Sequence, residues 1–259
     1  MSADSPAPSA ARWTSDLALA VVFLTRLPLR LSDPLAEDAH ARAMGWFPLV
    51  GAGVGLCGGA VHGLAALAHL PPLPAALLAL GAMVWLTGAL HEDGAADVAD
   101  GFGGGRDKAR KLEIMRDSRV GSYGVLAIVF SVAVRASALA ALAEPHLVIP
   151  ALLASGALSR GGMAVIARFM NPARADGLAA RQGRPSPGTV ALSLALALGV
   201  AVAALHGLAA AAVLSAALAV LAVARQARRQ IGGHTGDVFG AAQQVAETAV
   251  LLTLAATVA

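Results

Sequence analysis

The sequence predicts an all-α fold, a polytopic integral membrane bundle of about seven transmembrane helices, and three observations predict it. Hydrophobic residues make up 57% of the 259 positions and charged residues 14%. Mean hydropathy is +0.69, too apolar for an ordinary soluble domain. Apolar runs long enough to cross about 30 Å of hydrocarbon recur along the chain, and open-edged sheets cannot satisfy their backbone in lipid, so these runs read as helices.

The opening MSADSPAPSAARW is polar, contains proline and lacks the apolar core of a cleaved signal peptide, so residues 1–14 read as a disordered tail. Residues 15–27, SDLALAVVFLTRL, are apolar but too short to span, and end at Pro28. They read as a short interfacial or re-entrant helix that opens a single transmembrane catalytic domain, residues 15–259. Spans follow at about 46–70, 75–93, 121–143, 147–170, 188–206, 207–224 and 239–258. The division at His206-Gly207 has the weakest punctuation, since residues 188–224 are nearly all Ala, Leu, Val and Gly. Cys57, the single cysteine, lies among Gly55, Gly58 and Gly59 in the first span and reads as packing.

Lys and Arg set the orientation. The connections at 71–74, 144–146 and 206–207 carry none. The opposite side carries Arg12, Arg26, Arg30, Arg42, the basic loop after Asp100, then Arg174, Arg181, Arg184, Arg225, Arg228 and Arg229. The positive-inside rule makes that side cytoplasmic, with the N-terminus in and the C-terminus out.

Residues 91–121, HEDGAADVADGFGGGRDKARKLEIMRDSRVG, lie on the same side and place Glu92, Asp93, Asp97 and Asp100 at the end of an apolar run. A carboxylate at mid-bilayer costs on the order of 2.5 to 3.5 kcal/mol, so these acids call for a cation or water. On a continuing helix Asp93, Asp97 and Asp100 fall within about 60° of one another. Such an oxygen-only set suits Mg²⁺, which commonly bridges to substrate phosphates. Gly101, Gly103, Gly104 and Gly105 would let backbone N–H groups approach an anion, and Arg106, Lys108, Arg110, Lys111, Arg116 and Arg119 add positive charge. Together they describe a metal-assisted site for a phosphorylated or diphosphate substrate. The plain alternative is a solvated loop; the DxxxDxxDG spacing and the glycine cluster argue against it.

A second constellation, GGHTGDVFGAAQQVAE at 232–247, opens the last span. If a helix starts there, Thr235 caps it, Asp237 lies at its positive end, and Gln244 and Glu247 share a polar stripe with Asp237. Arg135 and Arg160 sit too deep in their spans to snorkel, so each either pairs with an acid such as Glu247 or binds an anionic ligand. His91 and His234 each adjoin an acidic motif without metal-ligand spacing.

The chain resembles the cobalamin synthase family, the adenosylcobinamide-GDP ribazoletransferases. The resemblance is carried by FLTRLPL at 23–29, WFPLVGAGVG at 46–55, TGALHEDGAADVADGFGGG at 87–105, RKLEIMRDSRVGSYGVLA at 110–127, LSRGGM at 158–163 and GGHTGDVFGAAQQVAE at 232–247. It implies that adenosylcobinamide-GDP and α-ribazole, or its 5′-phosphate, give adenosylcobalamin or its phosphate with release of GMP, requiring Mg²⁺, in the inner membrane with the site facing the cytoplasm. Asp93, Asp97, Asp100 and Asp237 are then the metal candidates, and Asp97 or Asp100 the acceptor of the ribose hydroxyl proton. Gly103, Gly104, Arg106, Lys108, Arg116, Arg119, Arg160, Thr235, Gln244 and Glu247 are the substrate-binding candidates. Position 92 is often apolar in the family and position 234 often not histidine, so neither is assigned. Residues 97–101 also resemble the start of the CDP-alcohol phosphatidyltransferase signature DxxDGxxAR, but Gly104 and Gly105 stand where Ala-Arg belongs. Rival readings are a CDP-alcohol-type phosphotransferase and an ion-coupled transporter. Nucleic acid is not expected as a partner, and homo-oligomerisation is left open.

Overall fold

A computed structural model describes residues 10–31, 35–177 and 182–258. Residues 1–9 of the expected tail and Arg181 lie outside these. The described chain is all-helical: α1 Ala10–Leu24, α2 Ala39–Ala43, α3 Phe47–Leu67, α4 Pro72–Thr87, α5 Leu90–Gly104, α6 Lys108–Ile114, α7 Ser122–Leu142, α8 Pro145–Phe169, α9 Pro187–Leu205, α10 Ala209–Ile231 and α11 Gly236–Ala255. The first helix begins at Ala10, before the expected residue 15, and buries Leu19, Ala20 and Leu24, while Asp16 pairs with Arg42 at 3.0 Å.

α8 is the axis of the bundle. Its glycines admit neighbouring backbones: a Cβ at Gly51 of α3 would stand 2.1 Å from the Gly156 carbonyl oxygen, and one at Gly55 2.1 Å from that of Leu152. Small residues at four-residue spacing give this close approach in lipid, where apolar surface alone does not drive helices together. The outer surface is apolar, with Leu64, Leu77, Phe130, Leu198, Leu218 and Leu252 exposed, whereas Arg135, Arg160 and Glu247 are buried. That inversion marks an integral membrane protein.

Among the described residues, five helical stretches are long and apolar enough to cross a membrane: Ala39–Leu67, α7, α8, Pro187–Ile231 and α11; the α4–α5 pair makes a sixth if taken as one broken span. The expectation was seven. The shortfall lies at His206, because Pro187–Ile231 counts there as one run of 45 residues. His206 has φ 50 and ends α9. Both arms then lie on one level of α8, Ala197 against Gly161 and Val220 against Gly162, so α9 and α10 form a hairpin.

The expected continuous span at 75–93 is corrected. α4 and α5 meet at 90°, because Gly88 and Ala89 both take left-handed backbone, φ 66 and 59. The corner is held by the Arg26 N–H donating to the Leu86 carbonyl at 2.8 Å. A Cβ on Gly88 would meet the Arg26 side chain at 2.6 Å, and its positive φ also favours glycine. The acidic motif therefore rides on its own helix, turned across the bundle against α11.

Candidate active site

α5 and α11 cross where both are glycine. A Cβ at Gly94 would lie 3.0 Å from the Asp237 Cα, and one at Gly240 2.9 Å from the His91 carbonyl oxygen. This contact brings the two acidic motifs together. Asp93 is exposed and Asp97 half-buried, and Asp97 interacts electrostatically with Asp237 most strongly, then with Asp93 and Asp100, and with Arg174 as its cation. Asp237 stands in the first turn of α11, where Thr235 caps the helix as expected: the Thr235 oxygen accepts from Val238 N–H, and its hydroxyl donates to Asp237 Oδ2 at 3.0 Å. Asp93, Asp237, Arg174 and His91 line one cavity of about 100 Å³, walled by Phe23, Met163 and Phe239.

Arg174 is the residue that sequence reasoning missed as part of the site. It was legible only as one more cytoplasmic cation. A backbone pairing puts it here: Ala173 N–H donates to the His234 carbonyl at 2.8 Å, and His234 N–H to that of Asn171 at 3.0 Å. The segment after α8 is thereby stitched to the turn before α11. Among the described residues, the buried Nη1 of Arg174 and the buried Nε2 of His91 have no hydrogen-bond partner. His234 packs its ring against Phe239, centroids 4.8 Å apart, and burial pushes its pKa down to about 4, so it is neutral at working pH and offers the acids no charge.

Asp100 is placed differently from the other acids. Its oxygens accept from Gly121 N–H at 2.7 Å and Gly124 N–H at 2.9 Å, so it caps the start of α7 from another helix. Any Cβ at Gly121 or Gly124 would fall within 2.5 Å of that carboxylate. Among the described residues no three His, Cys, Asp or Glu side chains stand close enough to hold a metal ion as they are. Asp100→Asn would face one of these N–H groups with an amide nitrogen. It is expected to lower stability by about 1–2 kcal/mol, read as a reduced melting temperature in detergent.

The glycines were expected to let backbone N–H groups approach an anion; the structure places three of them within a helix. Gly101, Gly103 and Gly104 are helical, in the last turn of α5. Two of them serve packing: Gly101 admits Met115, and a Cβ at Gly103 would strike the Tyr123 ring at 2.8 Å. The basic residues spread over the polar end. Arg106 is exposed, Lys108 reaches to Gly232, Lys111 hydrogen-bonds Gln230, Arg116 binds Asp176 through one nitrogen at 2.6 Å, and Arg119 pairs with Asp117 at 2.6 Å. The Arg119 hydrogen bonds hold the Asp117 carboxyl down to about 2.

Arg160, Gln244 and Glu247 lie apart from this mouth, sealed in the bundle. Arg135 donates to Glu247 at 2.8 Å and Glu92 at 3.2 Å, and Arg160 to Glu247 at 3.3 Å. Gln243 donates to Glu247 at 2.6 Å and Gln244 to Glu92 at 2.9 Å, while Ser131 donates to Gln244 at 2.6 Å. Of the two sequence alternatives for the intramembrane arginines, the ion pair with Glu247 is the one the structure contains. Sequence reasoning missed Ser131 and Gln243, whose roles depend on contacts between distant helices.

Carboxylates from two crossing helices, gathered around the Arg174 guanidinium at the polar end of a lipid-facing bundle, have the character of a site in an integral membrane enzyme. The chain belongs to the family described as cobalamin-5-phosphate synthase, whose model matches residues 16–255. Adenosylcobinamide-GDP ribazoletransferase of Bradyrhizobium diazoefficiens is 48% identical over 243 residues, covering 93% of this chain and 94% of the relative. Enzymes of the same description from Sinorhizobium medicae and Azorhizobium caulinodans are 45% and 44% identical, each over 93% of this chain and 95% of the relative. No solved structure matches the chain.

Proposed function

We propose that the protein joins adenosylcobinamide-GDP to α-ribazole, or its 5′-phosphate, at the mouth between α5 and α11, giving adenosylcobalamin, or its 5′-phosphate, and GMP. The observation that carries this reading is the meeting of Asp93 and Asp237 with Arg174 at one small cavity, with Asp97 in electrostatic reach of all three, in a chain similar over nearly its whole length to enzymes of that name.

In the reaction a ribose hydroxyl oxygen bonds to the phosphorus carried by the cobinamide, the bond from that phosphorus to the GMP oxygen breaks, and the hydroxyl proton is lost. The attacked phosphorus bears negative oxygens, so the site has to supply positive charge. Arg174, with a buried nitrogen that has no hydrogen-bond partner among the described residues, is suited to a phosphate oxygen. Asp97 is suited to take the proton, because both oxygens of Asp100 are committed to the α7 backbone. Asp93, Asp97 and Asp237 offer oxygen donors only, the donor chemistry Mg²⁺ prefers, and would have to draw closer together to hold it; bound there, the ion would neutralise phosphate charge. Arg106, Lys108, Arg116 and Arg119 lie at the same polar end of the bundle and favour approach of the anionic substrate. The Lys and Arg distribution supports a cytoplasmic position for this end.

The test is GMP release by the purified protein in detergent or liposomes, given both substrates and Mg²⁺, with and without EDTA. GMP and the cobamide formed in step, and lost with EDTA, are expected. Absence of GMP from a folded sample would overturn the reading.

A further inference from the structure

Beside the acidic mouth lies a second cavity of about 360 Å³, between the end of α5, α6 and the start of α7. Its volume is that of a small-ligand site. Asp100 borders it, one helical turn (~5 Å) from Asp97, so a ligand could extend from this cavity to the reacting centre.

Tyr123, the only tyrosine of the chain, forms one wall. Its ring packs close to Gly103, where a Cβ would come within 2.8 Å, and the residue remains 55% exposed. The packing fixes the ring and leaves much of it open, as an aromatic platform requires. Facing the same cavity, Arg119 donates from Nε and Nη2 to Asp117 at 3.0 and 2.6 Å, and Asp117 is also pinned by Arg119 N–H at 3.1 Å. A carboxylate set beside a guanidinium presents acceptors next to donors. Guanine presents the complement: O6 and N7 accept, while N1–H and the 2-amino group donate. Adenine carries an amino group in place of O6 and has no 2-amino group, so it reverses the first match and loses the second.

We propose that this cavity binds the guanine of the GDP-bearing substrate, stacked on Tyr123, with Asp117 accepting from N1–H and the 2-amino group and Arg119 donating to O6 and N7. The assignment rests on the function proposed above and adds the recognition of the base. An exposed ion pair is worth little in itself, so realigning Asp117 and Arg119 toward the base costs little.

The experiment measures inhibition of turnover by free GMP, IMP, AMP and CMP in the wild-type protein, Tyr123→Ala, Tyr123→Phe and Asp117→Asn, with equilibrium dialysis of GMP alongside. GMP is expected to bind at least about tenfold more tightly than AMP or CMP, a factor worth one charged hydrogen bond. Tyr123→Ala should raise both the GMP inhibition constant and the KM for the GDP-bearing substrate by roughly 10- to 100-fold, the usual worth of base stacking, with little change in kcat. Tyr123→Phe should restore both constants. Asp117→Asn should shrink the preference for GMP over IMP, which lacks the 2-amino group.

Equal inhibition by the four nucleotides, or GMP inhibition unchanged in Tyr123→Ala, would overturn the pocket assignment while turnover leaves the proposed reaction standing. If turnover itself is absent, dialysis decides: GMP binding that Tyr123→Ala weakens supports the pocket, and no binding removes it.

Discussion

Replacing Asp97 by Asn is expected to slow GMP release by roughly 100- to 10,000-fold, the usual contribution of a positioned proton acceptor, while the protein still inserts and folds. Asp97 is half-buried and interacts with three other acids and with Arg174. Removing its charge relieves like-charge repulsion, so the melting temperature should hold or rise while kcat falls. Asp97→Glu, which keeps the carboxylate but displaces it by a methylene, should recover only part of the rate. A purified Asp97→Asn sample turning over within threefold of wild type would move the proton acceptor elsewhere.

The largest effect on stability is expected at Glu247. Its two oxygens take Arg135 at 2.8 Å and Arg160 at 3.3 Å, with Gln243 at 2.6 Å, and the residue is fully buried. Glu247→Gln leaves three formal charges where four had balanced, in a place without solvent. Removing one partner of a buried pair costs about 3–5 kcal/mol, a large share of a membrane protein's margin. The expected result is little folded monodisperse protein in detergent, or a strongly lowered melting temperature. Glu247→Asp keeps the charge and should be milder. A Glu247→Gln protein that melts with wild type would mean that Glu92 and ordered water carry the arginines without it.

Helix period and hydropathy made most of the bundle legible. The seven apolar runs correspond to α3, α4, α7, α8, α9, α10 and α11, and the acid stripe on α5 follows from a spacing of four and then three residues. The corner at Gly88–Ala89 was not legible, because a lone glycine in an apolar run does not mark a corner and the second left-handed residue, Ala89 with φ 59, is not a glycine. Asp100 looked identical to Asp93 and Asp97 by period, yet its partners are backbone N–H groups 21 and 24 residues further on. Arg174 reached the site through pairing of two loops distant in sequence, and local pattern carries no trace of that. Gly103 misled for a different reason: a glycine that admits a ring and a glycine that frees an N–H read the same until the neighbour is known.

The buried charges also constrain the order in which the molecule can be made. Arg135 and Arg160 arrive on α7 and α8, well before Glu247 arrives on α11, the last helix of the described chain. Arg160 makes its only ion pair among the described residues with Glu247. During synthesis, therefore, Arg135 can already meet Glu92 of α5, whereas Arg160 is a cation that lipid disfavours and that lacks its ion-pair partner until α11 emerges. A nascent chain interrupted between α8 and α11 is left with exposed intramembrane charge, a feature by which a cell could tell an unfinished copy from a complete one.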